Sequence, residues 1–270
     1  MKLKILIKGA GDLATGIAVR LFKSGYTVWM TDTAMPTAVR RTVAFSTCIT
    51  EGTTLVENIT AICAQNANDG YKISGAGCIP VFADPKTVIA LEYGPDVIID
   101  AIIAKKNLGT SITDAPFVIG VGPGFTAGVD CHAVIETKRG HDLGRVITSG
   151  SAAPNTGVPG NIGGYTRERI IRAEADGVFH ALASIGDSVT CGDAVAESGG
   201  VYIKAQLSGI VRGMLLNGIH VHKGMKCGDI DPRCEKQNCF TVSDKARAVG
   251  CGVLEAVCGY EHGTYPACRR

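Results

Sequence analysis

The sequence predicts an α/β protein, an open parallel sheet joined to a small β module, and three observations carry the prediction. A glycine turn follows an apolar run at the start of the chain; short apolar segments then alternate with helical or polar stretches; and a glycine-punctuated segment beyond residue 169 repeats itself once.

The opening run Leu3, Ile5, Leu6, Ile7 reads as a buried strand and leads into Lys8-Gly9-Ala10-Gly11-Asp12-Leu13-Ala14. The spacing is G-x-G-x-x-A: Gly9 allows a tight turn, Gly11 lets backbone approach a diphosphate, and small Ala14 lets the next helix pack closely on the strand. Ala14, Ile17, Ala18, Leu21 and Phe22 follow at helical spacing, Gly25 offers a stop, and Thr27-Val28-Trp29-Met30 reads as a second strand ending at Asp32. Asp32 lies 21 residues after Gly11, where an acid would accept a ribose hydroxyl. The combination points to a Rossmann-like nucleotide site in which Gly9, Ala10, Gly11, Asp12 and Leu13 cradle phosphate at a helix N-terminus. A βαβ unit with a vestigial site is the plainer alternative.

Further along, the pair Arg40-Arg41 suits either a phosphate contact or a solvated helix end, and Thr42-Val43-Ala44-Phe45 reads as a strand. Helical patterning is expected over 55–64, then strands at Ile79-Pro80-Val81-Phe82, Val97-Ile98-Ile99-Asp100-Ala101 and Phe117-Val118-Ile119-Gly120-Val121. The alternation favours a parallel sheet whose ligands gather beyond the strands' carboxyl ends. That edge would hold Asp100, Lys105, Asn107 and the loop containing Gly122 and Gly124. The irregular stretch 129–165 is rich in groups able to bind an anion or move a proton, among them Glu136, Arg139, His141, Asp142 and Arg145. His141 or Lys105 is a candidate acid or base, and Arg139 and Arg145 are candidate phosphate or carboxylate clamps; a polar gap filled by His141 and two surface arginines is the alternative.

An offset of 32 maps Gly177 to Gly209, Gly186 to Gly218, Val189 to Val221 and Gly192 to Gly224. Each half reads as short strands between glycine turns, and two such halves could interlock as a barrel-sandwich hybrid like those of biotinyl and lipoyl carrier domains. A carrier needs a lysine at the hairpin tip, but the tip reads Glu197-Ser198-Gly199-Gly200, so a packing, docking or covering role is expected. The closing charges Asp229, Asp231 and Arg233 either return to the main site or form a local acid–arginine turn. Ser243-Asp244 can cap a last helix through Ala246, Val249, Val253, Leu254 and Val257, whose Gly250 and Gly252 would permit close packing on the first domain. Residues 260–270 read as a frayed end. The expected organisation is a Rossmann-like nucleotide-binding domain over 1–168, a barrel-sandwich-hybrid module over 169–233 and a C-terminal segment over 234–270 that packs back on the first domain.

Composition sets limits. With 270 residues and 46% hydrophobic content the chain can bury a sizeable core, while a net charge of +2 and 6% aromatic residues give no basic groove or base-stacking platform. Nucleic acid and membrane are therefore not expected as partners, and a cytoplasmic location is. The 11 cysteines include no Cys-x-x-Cys, so reduced thiols and no metal site are expected.

Several longer phrases carry a resemblance: Lys8-Gly9-Ala10-Gly11-Asp12-Leu13-Ala14-Thr15-Gly16, Val39-Arg40-Arg41-Thr42-Val43-Ala44-Phe45, Gly122-Pro123-Gly124-Phe125-Thr126-Ala127-Gly128, the run from Val134 through Arg139-Gly140-His141 to Arg145, and Asn155-Thr156-Gly157-Val158-Pro159-Gly160. The chain resembles accessory proteins of the bacterial selenium-dependent molybdenum hydroxylase system. That resemblance implies maturation of such hydroxylases, with a nucleotide or molybdenum cofactor in the glycine-turn site and a hydroxylase client as partner; Cys131 departs from the expected pattern, and as a thiol whose thiolate is the reactive form it is a candidate sulfur or selenium acceptor. The resemblance supplies no catalytic residue set. An NAD-dependent oxidoreductase using His141 or Lys105, and a non-catalytic client-binding scaffold, are the competing expectations. A homo-oligomer is compatible with all three.

Overall fold

The computed structural model describes residues 3–265 and divides into two compact units. The first takes the residues up to 34, 45–156 and those from 242; the second takes 35–44 and 157–241. The units therefore cut across the three consecutive blocks expected from sequence.

In the first unit the strands are β1 (Lys4–Lys8), β2 (Thr27–Asp32), β3 (Thr53–Val56), β4 (Ile59–Ala64), β5 (Ile79–Ala83), β6 (Val97–Asp100), β7 (Phe117–Val121), β8 (Thr126–Ala127), β9 (Ala133–Ile135), β10 (Val146–Ile147) and β11 (Gly150–Ser151). Nine of them form one mixed sheet in the order β10-β9-β7-β6-β1-β2-β5-β4-β3, parallel except for the β3–β4 and β9–β10 pairs at its two edges. Ile5, Leu6 and Ile7 are fully buried, as a central strand covered on both faces requires. β8 and β11 pair separately.

The helices are α1 (Asp12–Lys23), α2 (Thr47–Glu51), α3 (Ala67–Gly75), α4 (Val88–Leu91) and α5 (Asp244–Glu261). α1 and α5 pack on each other through small residues: a Cβ on Gly16 would lie 2.6 Å from Cβ of Ala246, and one on Gly250 would lie 2.9 Å from the Gly16 carbonyl oxygen. α5 runs through residue 261; the remainder of the tail expected to fray, 266–270, lies outside the described residues.

Two local expectations are corrected. Residues 55–64 form no helix but a hairpin, β3 against β4, whose turn residues Glu57 and Asn58 have φ of +48° and +67°. Residues 42–45 form no strand: a 3₁₀ turn runs over Arg41–Val43.

The second unit contains β12 (Ile170–Arg172), β13 (Gly177–Ala181), β14 (Ser188–Val189), β15 (Ala194–Ser198), β16 (Val201–Lys204), β17 (Gly209–Met214), β18 (His220–Val221) and β19 (Lys226–Asp231). They form two four-stranded antiparallel sheets, β12-β19-β17-β14 and β16-β15-β13-β18, with no closed barrel among the described residues. The 32-residue repeat explains the pairing. β14 of the first half joins β17 of the second, and β18 of the second joins β13 of the first, so each half lends a strand to the other's sheet. Phe179, Val195, Val211, Met214 and Ile230 fill the core between them.

Within this unit, Arg40 donates to the carbonyls of Asn238 and Thr241 at 2.8 and 3.1 Å, and Arg41 to the carbonyl of Met214 at 2.9 Å. Asp229 accepts from Arg169 and Arg212, and Asp231 from Arg233. These acids form a local arginine network inside the second unit.

Candidate functional site

The carboxyl ends of the parallel strands β1, β2, β6 and β7 lie on one edge of the large sheet, with β1 between β2 and β6. Gly9 takes φ +96° and donates its N–H to the Thr31 carbonyl at 2.8 Å; a Cβ there would lie 2.9 Å from the Ala101 carbonyl oxygen. Only glycine fits both demands. Ala10 donates to Asp32 Oδ2 at 2.8 Å, and Thr33 N–H donates to Oδ1 at 2.7 Å. Both oxygens of Asp32 thus hold the turn and its own strand end. Burial raises its carboxyl above the ordinary range, against the opposing pull of the Thr33 and Ala10 amides.

Gly11 is the N-cap of α1, with no side-chain cap, and nothing lies within 4 Å of where its Cβ would be. Open space therefore lies in the direction a side chain at Gly11 would take, at the positive end of α1. A second helix start lies beside it, because α5 packs along α1 with Ala246 against Gly16. Ser243 caps α5 through Ala246 N–H at 3.2 Å, and Asp244 takes a bidentate pair from Arg139 at 2.6 and 2.8 Å.

Lys245 follows Asp244 in the first turn of α5. Its side chain is half-buried and its Nζ makes no hydrogen bond or ion pair among the described residues. Burial, then the neighbouring Lys105 and Arg139, hold its ammonium below the usual lysine range; Asp12 and Glu136 oppose this. Glu136 is itself buried and engaged: Oε1 accepts from the amides of Thr137 and Lys138, both at 2.7 Å, and Oε2 from that of Ala153 at 2.7 Å. Three cations, Lys105, Arg139 and Lys245, thus stand with three carboxylates, Asp12, Glu136 and Asp244, and Lys245 Nζ is the group whose natural complement is a further acceptor.

The other candidates fall elsewhere. Lys105 is exposed at φ +64° in the loop after β6, which is braced by Lys8 donating to Thr110 Oγ1 and Thr110 donating to Asp100 Oδ2, each at 2.6 Å. Gly122 and Gly124, at φ +84° and +113°, pack against Thr137 and the Lys106 backbone, so their glycines answer a steric need. Cys131 is fully buried, and burial pushes its thiol up to about 11, away from the thiolate that sulfur chemistry needs. His141 is exposed in the turn after Arg139. Arg145 pairs with Asp142 at 2.9 Å, with both side chains exposed. The structure thus brings Lys105 and Arg139 near Lys245, seals Cys131 in the core, and leaves the side chains of His141 and Arg145 exposed, with the Arg145 carbonyl accepting from the Glu136 amide at 3.0 Å. Among the described residues no cluster of three or more His, Cys, Asp or Glu could hold a metal.

No family model matches the chain. A curated relative, Uncharacterized protein YqeB of Escherichia coli K12, is 51% identical over 253 residues, covering 94% of this chain and 47% of the relative. The chain spans about half the length of that relative. Solved structures with some likeness include a succinylglutamate desuccinylase from Silicibacter sp. TM1040 (13% identity, 85% of this chain and 84% of that one, TM-score 0.25), and the ectoine utilization protein EutE of Ruegeria pomeroyi (11%, 85% of both, TM-score 0.27). An aspartoacylase family protein from Mesorhizobium loti is similar at 11% identity over 85% of both chains, with a TM-score of 0.25. Likeness at this level carries no inference about activity.

The comparisons correct the resemblance drawn from sequence. The proteins found are the uncharacterized YqeB and, at low structural likeness, desuccinylase and aspartoacylase family members, and none of their names points to the selenium-dependent molybdenum hydroxylase system. With it fall the maturation role, its molybdenum, selenium and nucleotide-binding attributes, and the competing oxidoreductase and scaffold readings. The site agrees in two places: Asp32 spends its carboxylate on the glycine turn, and Cys131 is sealed in the core. As to location, no helix among the described residues is long and apolar enough to cross a membrane.

Proposed function

We propose that the first unit binds a small anionic molecule, bearing a phosphate or carboxylate, at the carboxyl edge of its sheet. The observation that carries the reading is Lys245, a half-buried ammonium with no acceptor among the described residues, placed with Lys105 and Arg139 beside the uncapped start of α1. A folded chain keeps such a group only at a cost in stability, and a bound anion removes that cost. The reading treats the unit as Rossmann-like, with β1 at the point where strand order reverses and ligand outside the carboxyl ends. Gly9, Ala10, Gly11, Asp12 and Leu13 form the cradle, and Lys105, Arg139 and Lys245 supply charge.

Calorimetric titration with inorganic phosphate tests this. Wild type binds, Lys245→Met binds about tenfold more weakly or worse, and Gly11→Ser, whose hydroxyl would cap α1 in place of the anion, also binds more weakly. Equal affinity in wild type and Lys245→Met would sink the proposal.

A further inference from the structure

We infer that the first unit carries a further binding site, a cavity over β1 and β6 that takes a small carboxylic acid with an aliphatic body. None of the residues assigned to the anion site lines it, so the two sites stand or fall separately.

The cavity has a topological origin. β1 and β6 are parallel neighbours with Leu6 beside Ile98 and Lys8 beside Asp100, so these four side chains share one face of the sheet. A parallel crossover usually covers such a face with a helix. Here the connection between the parallel strands β6 and β7, residues 101–116, contains none, and α4, the helix after β5, has only four residues. What remains is a cavity of about 490 Å³, within the range of small-molecule sites. Its wall is set before any ligand arrives. Thr87 lines it at φ +59°, a left-handed conformation that is costly for a β-branched residue and persists only where the surroundings enforce it. Asp84 does so by accepting from the amides of Val88, Ile89 and Ala90 at 3.0, 2.8 and 3.1 Å.

The lining sorts into an apolar bed and one anchored cation. Ile98 is 2% exposed, whereas Leu91 and Leu108, on the two flanking segments, are 46% and 55% exposed. Lys8 Nζ donates to Thr110 Oγ1, whose hydroxyl donates onward to Asp100 Oδ2, each at 2.6 Å; Thr110 and Asp100 are both buried, so the ammonium is held in place. An ammonium has three N–H donors and this contact uses one, which leaves two for a carboxylate. Lys86 adds a second cation to the lining. Asp114 adds one carboxylate, with Oδ2 accepting from the Ser111 amide at 3.1 Å, so positive charge stays in excess. A carboxylate on Lys8 with an aliphatic chain over Ile98, Leu91 and Leu108 satisfies the free donors and takes the two leucines out of water.

Hexanoate is the probe, and hexylamine, which keeps the body and reverses the charge, is its control. Calorimetric titration of the intact chain should show hexanoate binding and at least about tenfold weaker binding of hexylamine. Lys8→Gln, which keeps an N–H donor and drops the charge, should weaken hexanoate at least about tenfold. Leu108→Asp, at an exposed loop position, should do the same while leaving the urea midpoint and phosphate binding as in wild type, and Lys245→Met should bind hexanoate as wild type does. Absence of hexanoate binding, equal binding of hexylamine, or wild-type hexanoate affinity in Leu108→Asp overturns the cavity site, and loss of hexanoate binding in Lys245→Met does so by placing the acid at the anion site. Hexanoate binding by a chain that binds no phosphate would retain the cavity site and remove the anion site.

Discussion

A half-buried ammonium without an acceptor destabilises the state that holds it, and Lys245 is placed in that way. The sign of its pH dependence follows. Its folded pKa lies below the unfolded value, so between the two the unfolded chain binds more protons and stability rises with pH. The penalty is complete below the folded pKa and gone above the ordinary value of 10.5. Lys245→Met should therefore unfold at a higher urea concentration than wild type at pH 7, with the gap closing as pH approaches 10.5. Paired urea melts across that range check this; a constant gap, or a less stable variant, would show that Lys245 is stabilising. Asp229, in the second unit, behaves oppositely. Burial pushes its carboxyl up, but Arg212, Lys226 and Arg169 more than offset this and hold it below the carboxylate range. Its contribution is present above the unfolded pKa and lost as pH falls through the folded one. Asp229→Ala strands the buried Arg169 and the half-buried Arg212 and should cost about 3–5 kcal/mol by chemical denaturation.

Among the elements, the α1–α5 pair decides where the site lies, and its closeness depends on Gly16. An alanine there would gain about 1 kcal/mol of helix propensity but crowd Ala246 by about 1–3 kcal/mol, so Gly16→Ala should be destabilising overall. Adding Ala246→Gly should return part of the loss, and a double-mutant cycle with strictly additive effects would exclude the contact as the cause. This pairing also marks how far the sequence could be read. The β1–turn–α1–β2 unit was legible because Gly9, Gly11, the 3.6-residue spacing of Ala14, Ile17 and Leu21, and Asp32 are all local signals. The 32-residue repeat was legible as strands for the same reason. The β3–β4 hairpin was not, because its turn is Glu57-Asn58 with no glycine, and Leu55, Val56 and Ile59 mimic helical spacing. Lys245 was invisible as a site residue. Its neighbours Lys105, Arg139 and Asp12 are distant in sequence, and only the docking of α5 on α1 gathers them. A lysine just inside a capped helix next to glycines that demand close packing was the one available hint.

At the scale of the molecule, the chain leaves the first unit at residue 35 and again at 157, so that unit must join three separated segments before its site exists. Such long closures are entropically demanding, and the site is assembled only when the α5 segment has docked. Ligand binding should accordingly report on the folding of the whole first unit rather than on a loop. The chain supplies its own probe: Trp29, the single tryptophan, is fully buried in that unit, stacked on Tyr93 at 4.2 Å and donating Nε1 to Ser74 at 3.0 Å. An anion that binds only the folded unit adds RT ln(1 + [L]/Kd), about 2.7 kcal/mol at a hundredfold excess over Kd. Phosphate at that excess should therefore move the urea midpoint followed by Trp29 fluorescence upward without changing the slope of the transition. Lys245→Met should show little of that shift at the same phosphate concentration, because the stabilisation depends on the charge that the variant lacks. A shift of equal size in both proteins would mean that phosphate acts through the solvent rather than through the site.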